Sequence, residues 1–192
     1  MLLHLMQNIF SRRQKSKGTE PIFLYLKENV YSRRQKFIVK TNNEKIRYTV
    51  GCGKLFSFGR KRYIYDSDGN IVASVKESQK PCHLLKSSIG LSHFIVEVKG
   101  KAVCEVARTH ISRGINTVYL DISGSYIWDG DVVHYTLKNE SQIIMELSDG
   151  TVFRSIFESG SRYKLLISNP QYELLGICFA MIYDMTRDKR FM

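Results

Sequence analysis

A chain of 192 residues, 43% hydrophobic and 24% charged, is sized for one domain that buries its own core, with the composition of an ordinary soluble globular protein. Its longest apolar run, Leu174 to Tyr183, is half the roughly 20 residues of a spanning helix, so it is not expected to cross a bilayer. The net charge of +11 is uneven: residues 11–62 hold fifteen Lys or Arg against Glu20, Glu28 and Glu44, a net of +12, and the remainder sums to −1.

In chain order, the first twenty residues form a basic N-terminal segment, helical or flexible, ahead of one domain over 21–192. Leu2, Leu5, Met6 and Ile9 have helical spacing and precede Arg12, Arg13, Lys15 and Lys17. That arrangement fits an interfacial helix with its cations near anionic lipid, or a helix packed on the domain. From residue 22 the pattern becomes strand after strand. "KFIVKTNNEKIRYTV" reads as a hairpin turning at Thr41 to Glu44, and "YIYDSDGNIVASV" as another, with Gly69 supplying positive φ. Further turns are expected at Lys99-Gly100, Ser123-Gly124, Asp129-Gly130 and Asp149-Gly150, and "SRYKLLIS" is the last strand. Ten to twelve strands in short antiparallel meanders predict a barrel or sandwich.

The period then changes. Ser168 with Gln171 reaching back, or Asn169 with Pro170 at the first helical position, starts a helix. Leu174, Leu175, Ile177, Cys178, Phe179, Met181 and Ile182 cover every side of it. A helix apolar all round must be surrounded. In a chain of strands, the simplest enclosure is the inside of a barrel.

That order of pieces resembles the tubby-like architecture shared by tubby C-terminal domains, LURP-one-related proteins and phospholipid scramblases. The similarity is to the LURP-one-related pattern over residues 22–187. It is carried by "KFIVKTNNEKIRYTV", "GKLFSFGRKRYIYDSDGNIVASVKE", "YIWDGDVVHYTLKNESQIIMEL" and "SRYKLLISNPQYELLGICFAMIYDM", with Asp184 closing the helix. The resemblance implies a mainly β fold: a closed antiparallel barrel of about twelve strands enclosing a C-terminal hydrophobic α-helix. It transfers no lipid-binding residue. The cysteine-rich and calcium-binding segments of scramblases have no counterpart here.

Candidate sites are few. In "GRKRY", Arg60 and Arg62 share one strand face and make a phosphate-binding pair if both are exposed; a solvated barrel edge is the plainer reading. With Lys54, Arg12, Arg13 and Lys15 they are the anion- or lipid-binding candidates. "DSDGN" lacks the Gly and Glu spacing of a calcium loop and reads as a turn. Cys82-His83 has no orienting partner, and the other histidines are scattered, so neither a catalytic set nor a metal site nor a cofactor motif is legible. Trp128 reads as a rim aromatic. Cys52, Cys82, Cys104 and Cys178 are widely spaced and no signal-peptide pattern is evident, which predicts reduced thiols in a cytoplasmic protein. The expectation is a non-enzymatic binding or scaffold protein that meets anionic membrane lipid through its basic third, peripheral at the inner membrane face. The alternative is a small-ligand protein or enzyme with a pocket at a barrel mouth. Nucleic acid suits the charge but lacks a recognition motif, and the sequence names no protein partner.

Overall fold

Runs of β-branched and aromatic residues broken by Gly, Asn and Asp fold into twelve strands, all paired antiparallel with their neighbours. The computed structural model describes residues 20–29, 35–53, 60–78, 92–111, 118–130, 134–150 and 161–187. The strands are β1 (Ile22–Glu28), β2 (Gln35–Thr41), β3 (Ile46–Cys52), β4 (Lys61–Tyr65), β5 (Ile71–Ser78) and β6 (His93–Val98). They continue as β7 (Lys101–Ile111), β8 (Val118–Ile122), β9 (Tyr126–Gly130), β10 (His134–Asn139), β11 (Gln142–Asp149) and β12 (Ser161–Ile167). The sheet order is β8-β7-β6-β5-β4-β3-β2-β1-β12-β11-β10-β9, so β1 and β12 join the two halves of the chain into a nearly closed barrel.

This up-and-down order gives the barrel two unlike ends. Connections from even to odd strands are two to five residues long and gather at one end, here the turn end. Connections from odd to even strands span three to fourteen residues and leave from the other, the loop end. Turn chemistry explains the tight ones. Lys99 and Gly100 have φ of 51° and 74°, the double positive φ of a two-residue hairpin whose twist matches its strands. At Gly69 φ is 82°, and Asp66 Oδ1 accepts the N–H groups of Asp68 and Asn70 at 3.0 and 2.8 Å. Those amides, Asn70 first, hold the Asp66 carboxyl below its usual range. "DSDGN" is therefore a turn.

Asp129-Gly130 is not a turn: both residues lie in β9. Gly130 is there for closeness, because a Cβ would collide with the His134 carbonyl oxygen and stand 2.7 Å from Tyr135 Cα on β10. A Gly that permits backbone approach and one that permits positive φ look identical in sequence.

The last strand leads at the turn end into a 3₁₀ turn, Pro170–Tyr172, where Asn169 Oδ1 accepts the Gln171 N–H at 3.1 Å and Pro170 opens the helical turn. Of the two starts predicted, the Asn169 cap is the one adopted; Ser168 instead donates to the Ile143 carbonyl. Helix α1 (Glu173–Arg187) follows and threads the barrel toward the loop end. Every side chain from Ile177 to Met185 is buried, against inward residues of β1 to β12 such as Leu24, Phe37, Val75, Leu137 and Leu165. Gly176 lets the helix press onto the wall, since a Cβ there would be 2.5 Å from Ile167 Cδ1. Trp128 faces inward rather than lying on a rim. It stacks on Tyr135 and Phe179 at centroid distances of 5.1 and 5.8 Å.

Candidate functional site

A carboxylate inside an apolar helix cannot remain ionised without partners. Asp184, fully buried in the last turn of α1, carries the further disadvantage of a negative charge near a helix C-terminus. The barrel wall answers with two cations delivered by the same device. The β2–β3 register skips from Gln35 to Phe37, and the β1–β12 register skips Arg162 between Ser161 and Tyr163. Such bulges re-aim one side chain out of the alternation. Lys36 Nζ thereby reaches Asp184 Oδ2 at 2.6 Å, and Arg162 Nη1 lies 3.5 Å from Oδ1 and 3.0 Å from Glu28 Oε2. The Tyr163 hydroxyl donates to Oδ1 at 2.9 Å. Burial first, and the Asp184 charge second, keep that phenol protonated well above its ordinary range. Beside this cluster the Tyr183 hydroxyl donates to buried Asp149 at 3.0 Å.

A third bulge serves the other end of the helix. The β2–β3 register skips Arg47, whose Nε lies 2.6 Å from Glu173 Oε1. Burial raises the Glu173 carboxyl above its usual range, and the Arg47 guanidinium only partly opposes this. Both ends of α1 are thus clamped to strand cations.

Arg60 and Arg62 do share a face, but it is the inner one. Arg62 is 8% exposed and alternates with buried Ile64, while Lys61 takes the outer face. Arg60 extends the ladder through its carbonyl, which accepts the Glu77 N–H at 2.8 Å; its own Nε and backbone N–H donate to Glu77 Oε2 at 3.1 and 3.2 Å. The exposed phosphate-binding pair expected from the sequence is therefore not formed: strand parity was read correctly, but the face turned to solvent was not. Lys54, Arg12, Arg13 and Lys15 lie outside the described residues, as does the Cys82-His83 pair.

Among the described residues no three His, Cys, Asp or Glu side chains gather as a metal site, and no helix is long and apolar enough to cross a membrane. A shallow depression at the turn end, lined by Thr41, Lys45, Ile46, Arg47 and Ser67, holds no set of acid, base and nucleophile.

A nearly closed barrel whose two halves are joined by β1 and β12 and that is filled by its own C-terminal helix has a counterpart among solved structures. A protein from Arabidopsis thaliana superposes with a TM-score of 0.54 at 13% identity, covering 88% of this chain and 92% of that one. At that identity the likeness concerns fold. The sequence itself matches the LURP-one-related family over residues 22–184. The chain belongs to the LURP-one-related family. No curated protein matches it. The family match runs from the first residue of β1 to Asp184, so it ends on the carboxylate that Lys36, Arg162 and Tyr163 hold. In this LURP-one-related domain the polar groups of the barrel interior act chiefly on the helix.

These anchoring residues are largely invisible to sequence patterning, because a bulge leaves no composition signature. The one legible signal is Asp184, an acid amid apolar residues that demands a buried cation somewhere.

Proposed function

We propose that this domain is a non-catalytic binding or scaffold module that docks on anionic membrane lipid, peripheral at the cytoplasmic face. One observation carries the reading. The described part of the basic third, residues 20–29, 35–53 and 60–62, lies in or beside four strands that are consecutive in the sheet, β4-β3-β2-β1, so the cations it holds belong to one sector of the wall. Within the described part of that sector, Lys36, Lys40, Arg47 and Arg60 are matched with carboxylates, whereas Lys27, Lys45 and Lys61 have no ion pair among the described residues. On the outer face of neighbouring β12, Lys164 lies 5.0 Å from the Phe23 ring and 5.7 Å from the Tyr25 ring of β1, a mixture of aromatic and cationic groups suited to a headgroup layer. The helix that fills the barrel leaves the outer wall and the ends for recognition, which favours a surface partner over a ligand held inside.

The test is co-sedimentation of the full chain with vesicles. Retention on phosphatidylserine-containing vesicles should exceed that on neutral vesicles and fall with salt. Changing Arg12, Arg13, Lys15 and Lys17 together to Gln should cost at least tenfold in partitioning, since each cation near an anionic surface is worth about 1 kcal/mol. Equal retention on neutral and anionic vesicles would refute the reading.

A further inference from the structure

The inner wall at the loop end holds a charge that the helix clamp does not use. Arg62 is more than nine-tenths buried, yet no carboxylate pairs with it among the described residues. Among the described residues its Nη1 reaches only the Cys52 Sγ at 3.3 Å and the Lys61 carbonyl at 3.4 Å, and its buried Nε has no hydrogen-bond partner. One strand repeat away on the same face, roughly 7 Å along the backbone, Arg60 gives Nε to Glu77 while its buried Nη2 has no partner among the described residues either. Among the described residues the two guanidinium groups therefore have one counter-ion, Glu77, and each keeps a desolvated N–H without an acceptor. An unpaired buried charge of this kind costs several kcal/mol, and a folded domain that retains one gains by binding an anion there.

We infer that Arg60 and Arg62, with Cys52 beside them, form an anion site on the inner wall at the loop end of β3 and β4, suited to a phosphate group. Guanidinium N–H groups aimed from successive inward positions match the separated oxygens of a tetrahedral phosphate, and Arg offers them in a fixed planar fork. Glu77 sets the orientation of Arg60 and leaves Arg62 as the principal donor. With Glu77 opposite Arg60 the pair keeps a net charge of +1, which one anionic group balances, and a phosphate has more oxygens than a carboxylate to accept from both guanidinium groups. The site takes this group whether it arrives on a soluble molecule or on a lipid headgroup. It rests on pairing inside the barrel and does not depend on the membrane reading.

Thermal unfolding and calorimetric titration of the full chain, with inorganic phosphate and with vesicles containing phosphatidic acid or phosphatidylserine, test it. Wild type should show a phosphate-dependent rise in Tm that chloride at equal ionic strength does not reproduce. R62M should lose that rise and at least tenfold in phosphate affinity while being at least as stable as wild type in phosphate-free buffer, since it removes an uncompensated charge. R62K should retain part of the binding. Phosphate binding without preference for phosphatidic acid vesicles would assign a soluble phosphorylated ligand. A preference for phosphatidic acid over phosphatidylserine that R62M abolishes would assign a lipid phosphomonoester; both support the site. No phosphate response in wild type, or an R62M protein that loses stability and keeps its phosphate response, would overturn it. Binding to phosphatidylserine vesicles that R62M leaves unchanged, with no phosphate response, would overturn this site and leave the membrane reading standing.

Discussion

Replacing Asp184 with alanine should destabilise the domain by about 3–5 kcal/mol, the range for removing one partner of a buried ion pair. The size follows from what remains. Lys36 and Arg162 are bulge residues turned toward Asp184, and Tyr163 donates its hydroxyl there, so the substitution takes one shared carboxylate from two cations and a phenol at once. Glu28 still offers Arg162 one carboxylate oxygen at 3.0 Å, so the pair to isolate is Lys36 with Asp184, at 2.6 Å. The K36M/D184A double variant should therefore recover part of the loss, and the coupling energy from a double-mutant cycle of chemical denaturation measures the pair directly. Equal and additive losses from D184A and K36M would mean that the 2.6 Å contact contributes nothing of its own.

The second large effect belongs to the centre of the helix. Phe179 is fully buried and lies 5.8 Å from Trp128, near parallel, within a cluster that includes Tyr135 and Tyr183. Phe179→Ala should cost about 3–5 kcal/mol through lost burial and the cavity left behind. Because Trp128 is the single tryptophan, its fluorescence reports the same event. Emission should shift toward the red and become more accessible to a soluble quencher in F179A, and not in an outer-face control such as I127A, at a position that is 53% exposed. A mild loss below 1 kcal/mol with unchanged emission would mean that the wall and the helix are not packed through this contact.

The parts of the fold that were legible in sequence are those with a local cause. Apolar alternation marked the strands, Lys99-Gly100 and Asp66 to Asn70 marked turns, and Asn169-Pro170 marked the entry to the helix. Apolar side chains on every side of α1 implied its enclosure. What was missed has a non-local cause. Gly130 is required by the backbone of β10 four residues on, not by its own φ. Arg62 looked like a surface cation because charged residues seldom face inward, and only the barrel's closure shows which strand face that is. Lys36, Arg47 and Arg162 gave no signal at all: each is re-aimed by a one-residue skip in register, which is a property of two strands together. Of the residues that clamp the helix only Asp184 was legible, and of the strand pair Arg60 and Arg62 the shared face was legible but not its direction.

The enclosure of α1 is tested most directly by thiol labelling. Cys178 sits at the middle of the helix with no exposure, and Cys104 is buried on β7, whereas Cys52 is partly exposed at the end of β3. Burial pushes the Cys104 thiol up to about 12 and that of Cys178 up as well. Below those values the thiol stays protonated and unreactive, so at pH 8 neither presents an appreciable thiolate, while unfolding restores both to the ordinary range and exposes them. Under native conditions at pH 8, with sites identified by mass spectrometry, Cys52 should be alkylated before Cys104 and Cys178. Cys178 should react only as fast as the whole domain unfolds, with a rate that rises in step with denaturant-induced global unfolding. Labelling of Cys178 in the native protein at a rate comparable to Cys52 would show the helix open to water and contradict the account.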